Sequence, residues 1–255
     1  MITDIFDTFN GSGQKVRIFL AGTSGSTNVI KKVLLAARSK PDFSSAKSDS
    51  SLLRGSDVKL SGGLGTCICF DYCANRRKLE STLLGRATSK VIASHYQGFI
   101  RQNPDIHAYF KGSVLERLLQ CRSLSEFDGL SSTELYGYAS ERAFMDDLSS
   151  TDMKNMSLPY LAIQPGDDPV YGNDVKGNIP TQLYTESEHV IFMVPSHGGH
   201  GAFSEGSLIG HLRWQRSNEG TGSWPPRVAA AFFDHIIEQE DHAALRAGYI
   251  HLADN

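Results

Sequence analysis

The sequence predicts an α/β fold: a mostly parallel sheet with a long helical segment inserted between two of its strands. Three observations predict it. Val16 to Ala21 is a nearly continuous apolar run that breaks at a Gly/Ser-rich corner and resumes at Val29, Ile30, Val33, Leu34 and Ala37 in helical spacing, which reads strand, tight turn, helix. Three later apolar runs, Leu64 to Phe70, Leu158 to Ile163 and His189 to Val194, read as further strands. Between the first and second of these, Arg76 to Leu148 is helical in pattern throughout and too long for a single crossover.

Taken in order, Ile2, Ile5, Phe6 and Phe9 with acids between them suit the end of an amphipathic helix, which Gly11-Ser12-Gly13 stops. The strand from Val16 and its helix follow, with Lys31 and Lys32 on the helix's polar side. From Ser39 to Gly63 the chain turns to Ser, Asp, Lys and Gly around Pro41, an exposed connection with a little local order at Leu52-Leu53. Leu64 to Phe70 is rich in β-formers and ends at Asp71, and it puts Cys67 and Cys69 on one strand face. The helical segment at 76–148 is broken at Asn103-Pro104 and at Gly112. It reads as a cap of the kind that covers an apolar substrate site and moves to admit substrate. Pro226 to Gln239, with Val228, Ala231, Phe232, His235 and Ile236 on one face, closes the fold, and Phe232-Phe233 is expected to pack in the core. The whole chain, 1–255, reads as one domain.

Bulk properties exclude several classes. A formal net charge of −3 with 21% charged residues provides no basic stripe for nucleic acid. No apolar run reaches the roughly 20 residues that span a bilayer, and the start lacks the basic-then-apolar order of a signal peptide, so the expectation is a cytoplasmic protein. Cys67, Cys69, Cys73 and Cys121 have spacings suited neither to a disulfide framework nor to zinc, and reduced, buried thiols are expected. His197 and His200 flank a Gly-Gly loop with no third ligand at suitable spacing. Neither a metal nor a cofactor is expected.

In open parallel sheets, residues just after the strands converge at the carboxyl edge. Here those corners supply Ser24, the pair Asp167-Asp168 and His200, in the order serine, acid, histidine. Ser24 alone could be a helix N-cap. With the other two corners in register it reads as a nucleophile, because a serine hydroxyl needs a base to take its proton and the base needs a carboxylate to hold its tautomer. The pattern Gly-x-Ser-x-Gly is met by Gly22-Thr23-Ser24-Gly25-Ser26 except at its last position. Either acid could serve. A nucleotide-binding reading fails for want of a Gly-x-Gly-x-x-Gly corner.

With these residues in place, the chain resembles an α/β-hydrolase of the YheT/EMB8 (ABHD1/ABHD3-like) type. Gly22 to Asn28 is similar to that family's Gly-x-Ser-Leu-Gly-x-Asn, Asp167-Asp168-Pro169 to its Asp-Asp-Pro, and Gly198-Gly199-His200-Gly201-Ala202-Phe203 to its Gly-Gly-His-x-Gly-Phe. Glu126-Phe127-Asp128 resembles a further family feature. The resemblance implies Ser24 as nucleophile, Asp168 as the orienting acid, His200 as general base and the N–H of Gly25 as an oxyanion donor. It implies hydrolysis of carboxylic or phospholipid acyl esters. The family carries further strands before the elbow, so the expectation is a truncated α/β-hydrolase fold with one oxyanion donor missing. The first strand would then be an exposed edge open to self-association. The alternative function is a catalytically inactive, hydrolase-shaped binding module.

Overall fold

The computed structural model describes residues 16–39, 58–149, 151–171, 179, 186–201, 203 and 225–253. Four strands, β1 (Val16–Thr23), β2 (Val58–Thr66), β3 (Tyr160–Ile163) and β4 (Val190–Met193), form one sheet in chain order. Every neighbouring pair is parallel, so all four strands end at the same edge. The helices are α1 (Ser26–Ser39), α2 (Tyr72–Ser81), α3 (Leu83–Gln102), α4 (Val114–Gln120), α5 (Leu124–Leu130), α6 (Glu141–Leu148) and α7 (Pro225–Ala253). The helix expected at Ile2–Phe9 and most of the connection after Ser39 lie outside the described residues.

Each sheet face is covered. On one, Ile30 and Leu34 of α1 pack with Tyr160, Ala162, Val190, Met153 and Met156. On the other, Leu64, Leu161 and Ile163 pack with Tyr171, Phe203 and the α7 residues Val228, Phe232 and Phe233. Phe233 also stacks on Phe19 with centroids 4.4 Å apart. The expected core role of the Phe pair is therefore met. β1 is the edge strand of the described sheet, and Val16 to Leu20 are only half-buried.

Three boundaries and the buried face of one helix differ from the sequence reading. β2 begins at Val58 rather than Leu64, because Gly62-Gly63 is not a breaker but a close-packing site. A Cβ on Gly62 would stand 2.6 Å from the Pro159 carbonyl oxygen, and one on Gly63 2.9 Å from Leu34 Cδ1. β2 then ends at Thr66, where Cys67 takes a left-handed φ of 56°. The two thiols therefore lie beyond the strand, although both are buried in one cluster. On α1, Val29 and Val33 are exposed while Thr27, Asn28, Ile30, Lys31 and Leu34 are buried, a stripe rotated from the expected one. α7 runs to Ala253 instead of stopping at Gln239.

Between β2 and β3 the chain is helical from Tyr72 to Leu148, as the pattern predicts. A side-chain cap starts each of four helices: Asp71 accepts from Ala74 N, Thr82 from Gly85 N, Ser123 from Glu126 N and Ser140 from Ala143 N. Such caps satisfy backbone donors that the first turn leaves open. The foreseen breaks appear as a 3₁₀ turn at Pro104–Tyr109 and a positive φ of 54° at Gly112.

Two positions in this segment carry stability predictions. A Cβ on Gly85 would lie 1.6 Å from the Leu79 carbonyl oxygen. Gly85→Ala, which helix propensity alone would favour, is expected to cost ~1–3 kcal/mol through overpacking, read as a lower urea midpoint. Arg76 and Asp128 form a buried ion pair, in which burial pushes the Asp128 carboxyl up to about 6 against the opposing pull of Arg76. Arg76→Met strands that carboxyl and is expected to cost ~3–5 kcal/mol, much of it recovered in Arg76→Met/Asp128→Leu. Among the described residues, no helix is long and apolar enough to cross a membrane.

Candidate active site

The corner after β1 is built by short side chains. Ser24 sits at a φ of 56°, a left-handed conformation that costs a non-glycine residue ~1–2 kcal/mol. The turn is fastened on several sides. Ser24 N donates to Thr66 O at 2.9 Å and Thr27 Oγ1 donates to Ser24 O at 2.6 Å. Ser26, which stands where the elbow pattern has glycine, accepts from Thr23 N at 2.9 Å and donates to Thr23 O at 2.7 Å. The departure thus supplies a clasp. Gly22 is the position that requires glycine, since a Cβ there would lie 2.6 Å from Ile30 Cδ1 and 2.7 Å from Ser26 Oγ. A Cβ on Gly25 would meet nothing within 4 Å.

The structure brings Ser24, His200 and Asp168 together. Nε2 of His200 is 2.9 Å from Ser24 Oγ, and Nδ1 is 2.9 and 3.0 Å from the two carboxylate oxygens of Asp168. A proton on Nδ1 faces the carboxylate, which leaves Nε2 as acceptor for the serine hydroxyl. Asp168 is buried, and Val170 N and Gln164 Nε2 also donate to it, at 2.9 and 3.3 Å. The ring of Tyr171 lies 5.8 Å from that of His200.

Asp167, one residue away, has a different task. Its Oδ1 accepts from Gly199 N at 2.8 Å, and Oδ2 lies 3.5 Å from Nδ1 of the largely exposed His197. Burial, the largest single influence, acts to raise the Asp167 carboxyl, but the N–H groups of Gly199 and Gly198 together with the His197 side chain outweigh it and hold the group below its ordinary range. Asp167 therefore ties the histidine loop, while Asp168 faces the imidazole.

Sequence reasoning missed three neighbours. Asn28 is buried behind the corner, and its Nδ2 donates to the Tyr72 hydroxyl at 2.6 Å and to Gly25 O at 3.3 Å. Lys31, expected on the solvent side, is buried; its Nζ donates to Ser149 O at 2.6 Å and lies 2.9 Å from Asp152 Oδ1. Both fasten α1 to the ends of the helical segment. The third neighbour is Cys67, whose sulfur, with one ligand atom each of Asp168 and His200, forms a group spanning no more than 4.8 Å. Such a donor set could hold a metal ion. Burial and the Asp168 charge push the thiol up to about 12, so it stays protonated at neutral pH. Asn28 enters the sequence reading only as the end of the elbow motif, and the partners of all three lie far off in sequence: Tyr72 for Asn28, Ser149 and Asp152 for Lys31, Asp168 and His200 for Cys67.

No protein-family model matches the chain. It is 27% identical over 145 residues to human "Monoacylglycerol lipase ABHD2", covering 56% of this chain and 33% of that protein. It is 26% identical over 124 residues to a yeast (Saccharomyces cerevisiae) "Monoacylglycerol lipase", covering 48% and 26%. It is 26% identical over 137 residues to human "Phospholipase ABHD3", covering 53% and 30%. Among solved structures, a thermophilic esterase from Thermogutta terrifontis superposes with a TM-score of 0.35 at 16% identity, over 88% of this chain and 65% of that one. That overlap adds nothing to strand order and register. The chain spans about a third of the length of the curated relatives it matches. In sheet order, strand-end corners and layering it has an α/β-hydrolase-like fold, and over about half of its length it is similar to proteins named monoacylglycerol lipase and phospholipase.

Proposed function

We propose that the protein is a serine hydrolase acting on carboxylic or phospholipid acyl esters, with Ser24 as nucleophile, His200 as general base and Asp168 as the orienting acid. The observation that carries this reading is the unbroken hydrogen-bond path from Ser24 Oγ through both nitrogens of His200 to the buried Asp168. The named lipases and phospholipase among the relatives support the substrate class.

The chemistry follows from that path. Nε2 of His200 takes the hydroxyl proton as Ser24 Oγ bonds to the ester carbonyl carbon, and Asp168 stabilises the imidazolium. The tetrahedral oxyanion lies against the N–H of Gly25 at the positive end of α1. His200 then gives the proton to the departing alkoxide, which leaves as the alcohol, and the acyl group stays on Ser24 Oγ as an acyl-enzyme. Water, deprotonated by the same nitrogen, attacks the acyl carbon, and the bond to Ser24 Oγ breaks as His200 returns the proton to that oxygen, releasing the carboxylic acid and the free serine. The helical segment at 76–148 serves as the cap.

Fluorophosphonate labelling followed by peptide mass spectrometry tests the assignment. A covalent adduct on Ser24 is expected; folded protein that stays unlabelled and turns over no short-chain ester overturns it. One observation favours a second reading, an inactive module that self-associates through β1: that strand is the edge of the described sheet and is half-exposed. Stable oligomers combined with unreactive Ser24 would select it.

A further inference from the structure

We infer that Cys67, Asp168 and His200 form a binding site for one soft divalent cation of the zinc class, and that its occupation silences Ser24. The three residues follow three different strands, β2, β3 and β4, so no spacing motif in the sequence announces the set. One ligand atom from each lies within 4.8 Å of the other two. Zinc holds sulfur at ~2.3 Å and nitrogen or oxygen at ~2.1 Å, which puts tetrahedral ligand atoms about 3.5 Å apart. Side-chain shifts of about 1 Å therefore close the set. Nδ1 is the imidazole nitrogen on the Asp168 side, at 2.9 Å, and it supplies the nitrogen ligand.

The thiol is aimed by its backbone. Cys67 takes a left-handed φ of 56°, its N–H donates to Ile163 O at 2.9 Å, and its carbonyl accepts from the Tyr171 hydroxyl at 2.7 Å. Its sulfur lies 3.8 Å from Gly199 O, in the loop that carries His200. Cys67 and Asp168 are buried, and the His200 side chain, 23% exposed, is the side from which a cation and a fourth, water ligand enter.

Donor chemistry identifies the cation. A thiolate beside an imidazole suits zinc or cadmium, whereas calcium and magnesium need several oxygen ligands and meet one carboxylate here. Charge agrees. A bound zinc displaces the thiol proton to solvent, so thiolate and carboxylate cancel its two positive charges and the loaded set is neutral in buried surroundings. The cation also takes the place of the Nδ1 proton, which moves to Nε2. That nitrogen then faces Ser24 Oγ, 2.9 Å away, as a donor and cannot accept the hydroxyl proton.

The silencing rests on the proposed serine chemistry; the site does not, and the two are measured apart. Metal-stripped protein is titrated with Cd²⁺ while the ultraviolet thiolate-to-cadmium band is recorded, and Zn²⁺ binding is followed by calorimetry. Wild type and Ser24→Ala are expected to bind one equivalent and show the band, with no competition from Ca²⁺ or Mg²⁺. Cys67→Ala, Cys67→Ser and His200→Ala are expected to lose the band and weaken Zn²⁺ binding by more than about 100-fold, beyond the loss that an outer-shell partner causes. Cys73→Ala and Cys121→Ala should change neither. Circular dichroism checks folding, and if the buried Cys67 variants do not fold, His200→Ala at the partly exposed position decides. In wild type, saturating Zn²⁺ is expected to abolish ester turnover and fluorophosphonate labelling, and a chelator to restore both. Folded wild-type protein that takes up no cation overturns the proposal. Uptake indifferent to the Cys67 and His200 substitutions also overturns it, and so does saturation with zinc that leaves turnover unchanged. Uptake at the site by protein that shows neither turnover nor labelling when metal-free would leave the site standing and remove the chemistry; turnover without uptake would do the reverse.

Discussion

Ser24→Ala is expected to lower ester turnover by ~10⁴-fold or more and to abolish fluorophosphonate labelling, with the fold intact. The size follows from the role proposed for the residue. Without Oγ there is no atom for His200 to activate, and what remains is substrate binding and the oxyanion donor, which sustain only a small part of such catalysis. A companion variant separates chemistry from structure. Ser24 holds a φ of 56°, a strain that alanine keeps and glycine relieves, so Ser24→Gly should be as inactive as Ser24→Ala yet more stable by up to about 1 kcal/mol. If Ser24 were only a helix cap, both variants would lose stability and neither would lose reactivity selectively. Turnover and thermal unfolding measured on the same preparations decide the matter, and retention of more than a tenth of wild-type activity in Ser24→Ala would end the hydrolase assignment.

The parts of the molecule that the sequence made legible are those where local pattern and tertiary role coincide. β1 and the corner after it read directly, because the strand is apolar almost throughout although only half-buried, and the turn into α1 requires small residues. The three corners that converge could be chosen from strand ends alone, whereas Asp168 is preferred over Asp167 only through the family resemblance. What stayed hidden depends on neighbours distant in sequence. Gly62 and Gly63 resemble a loop until Pro159 and Leu34 press against them, so β2 appears too short. Lys31 looks like a solvated residue until Ser149 and Asp152 meet it. Ser26 looks like an imperfect match until its hydroxyl is seen to clasp both backbone groups of Thr23.

The choice between the two adjacent acids leads to the second large effect. Asp168→Asn is expected to lower kcat/KM by ~10⁴-fold, and Asp167→Asn by less than about tenfold. Both Asp168 oxygens lie within 3.0 Å of His200 Nδ1. An asparagine amide there donates to Nδ1 and moves the imidazole proton to Nε2, which then faces Ser24 as a donor unable to accept the hydroxyl proton. The substitution also removes a buried charge, and the oxygen that accepts from Val170 N can be retained, so the protein should fold and still bind substrate with little change in KM. Asp167 contacts no atom of the path; its Oδ1 accepts from Gly199 N, and the carbonyl of an asparagine can do the same. The expected asymmetry is therefore in kcat and not in stability, which separates orientation of the imidazole from mere support of the loop. Equal losses in the two variants, or the larger loss in Asp167→Asn, would transfer the orienting role to Asp167 and would require the histidine loop to be arranged differently in the reactive complex.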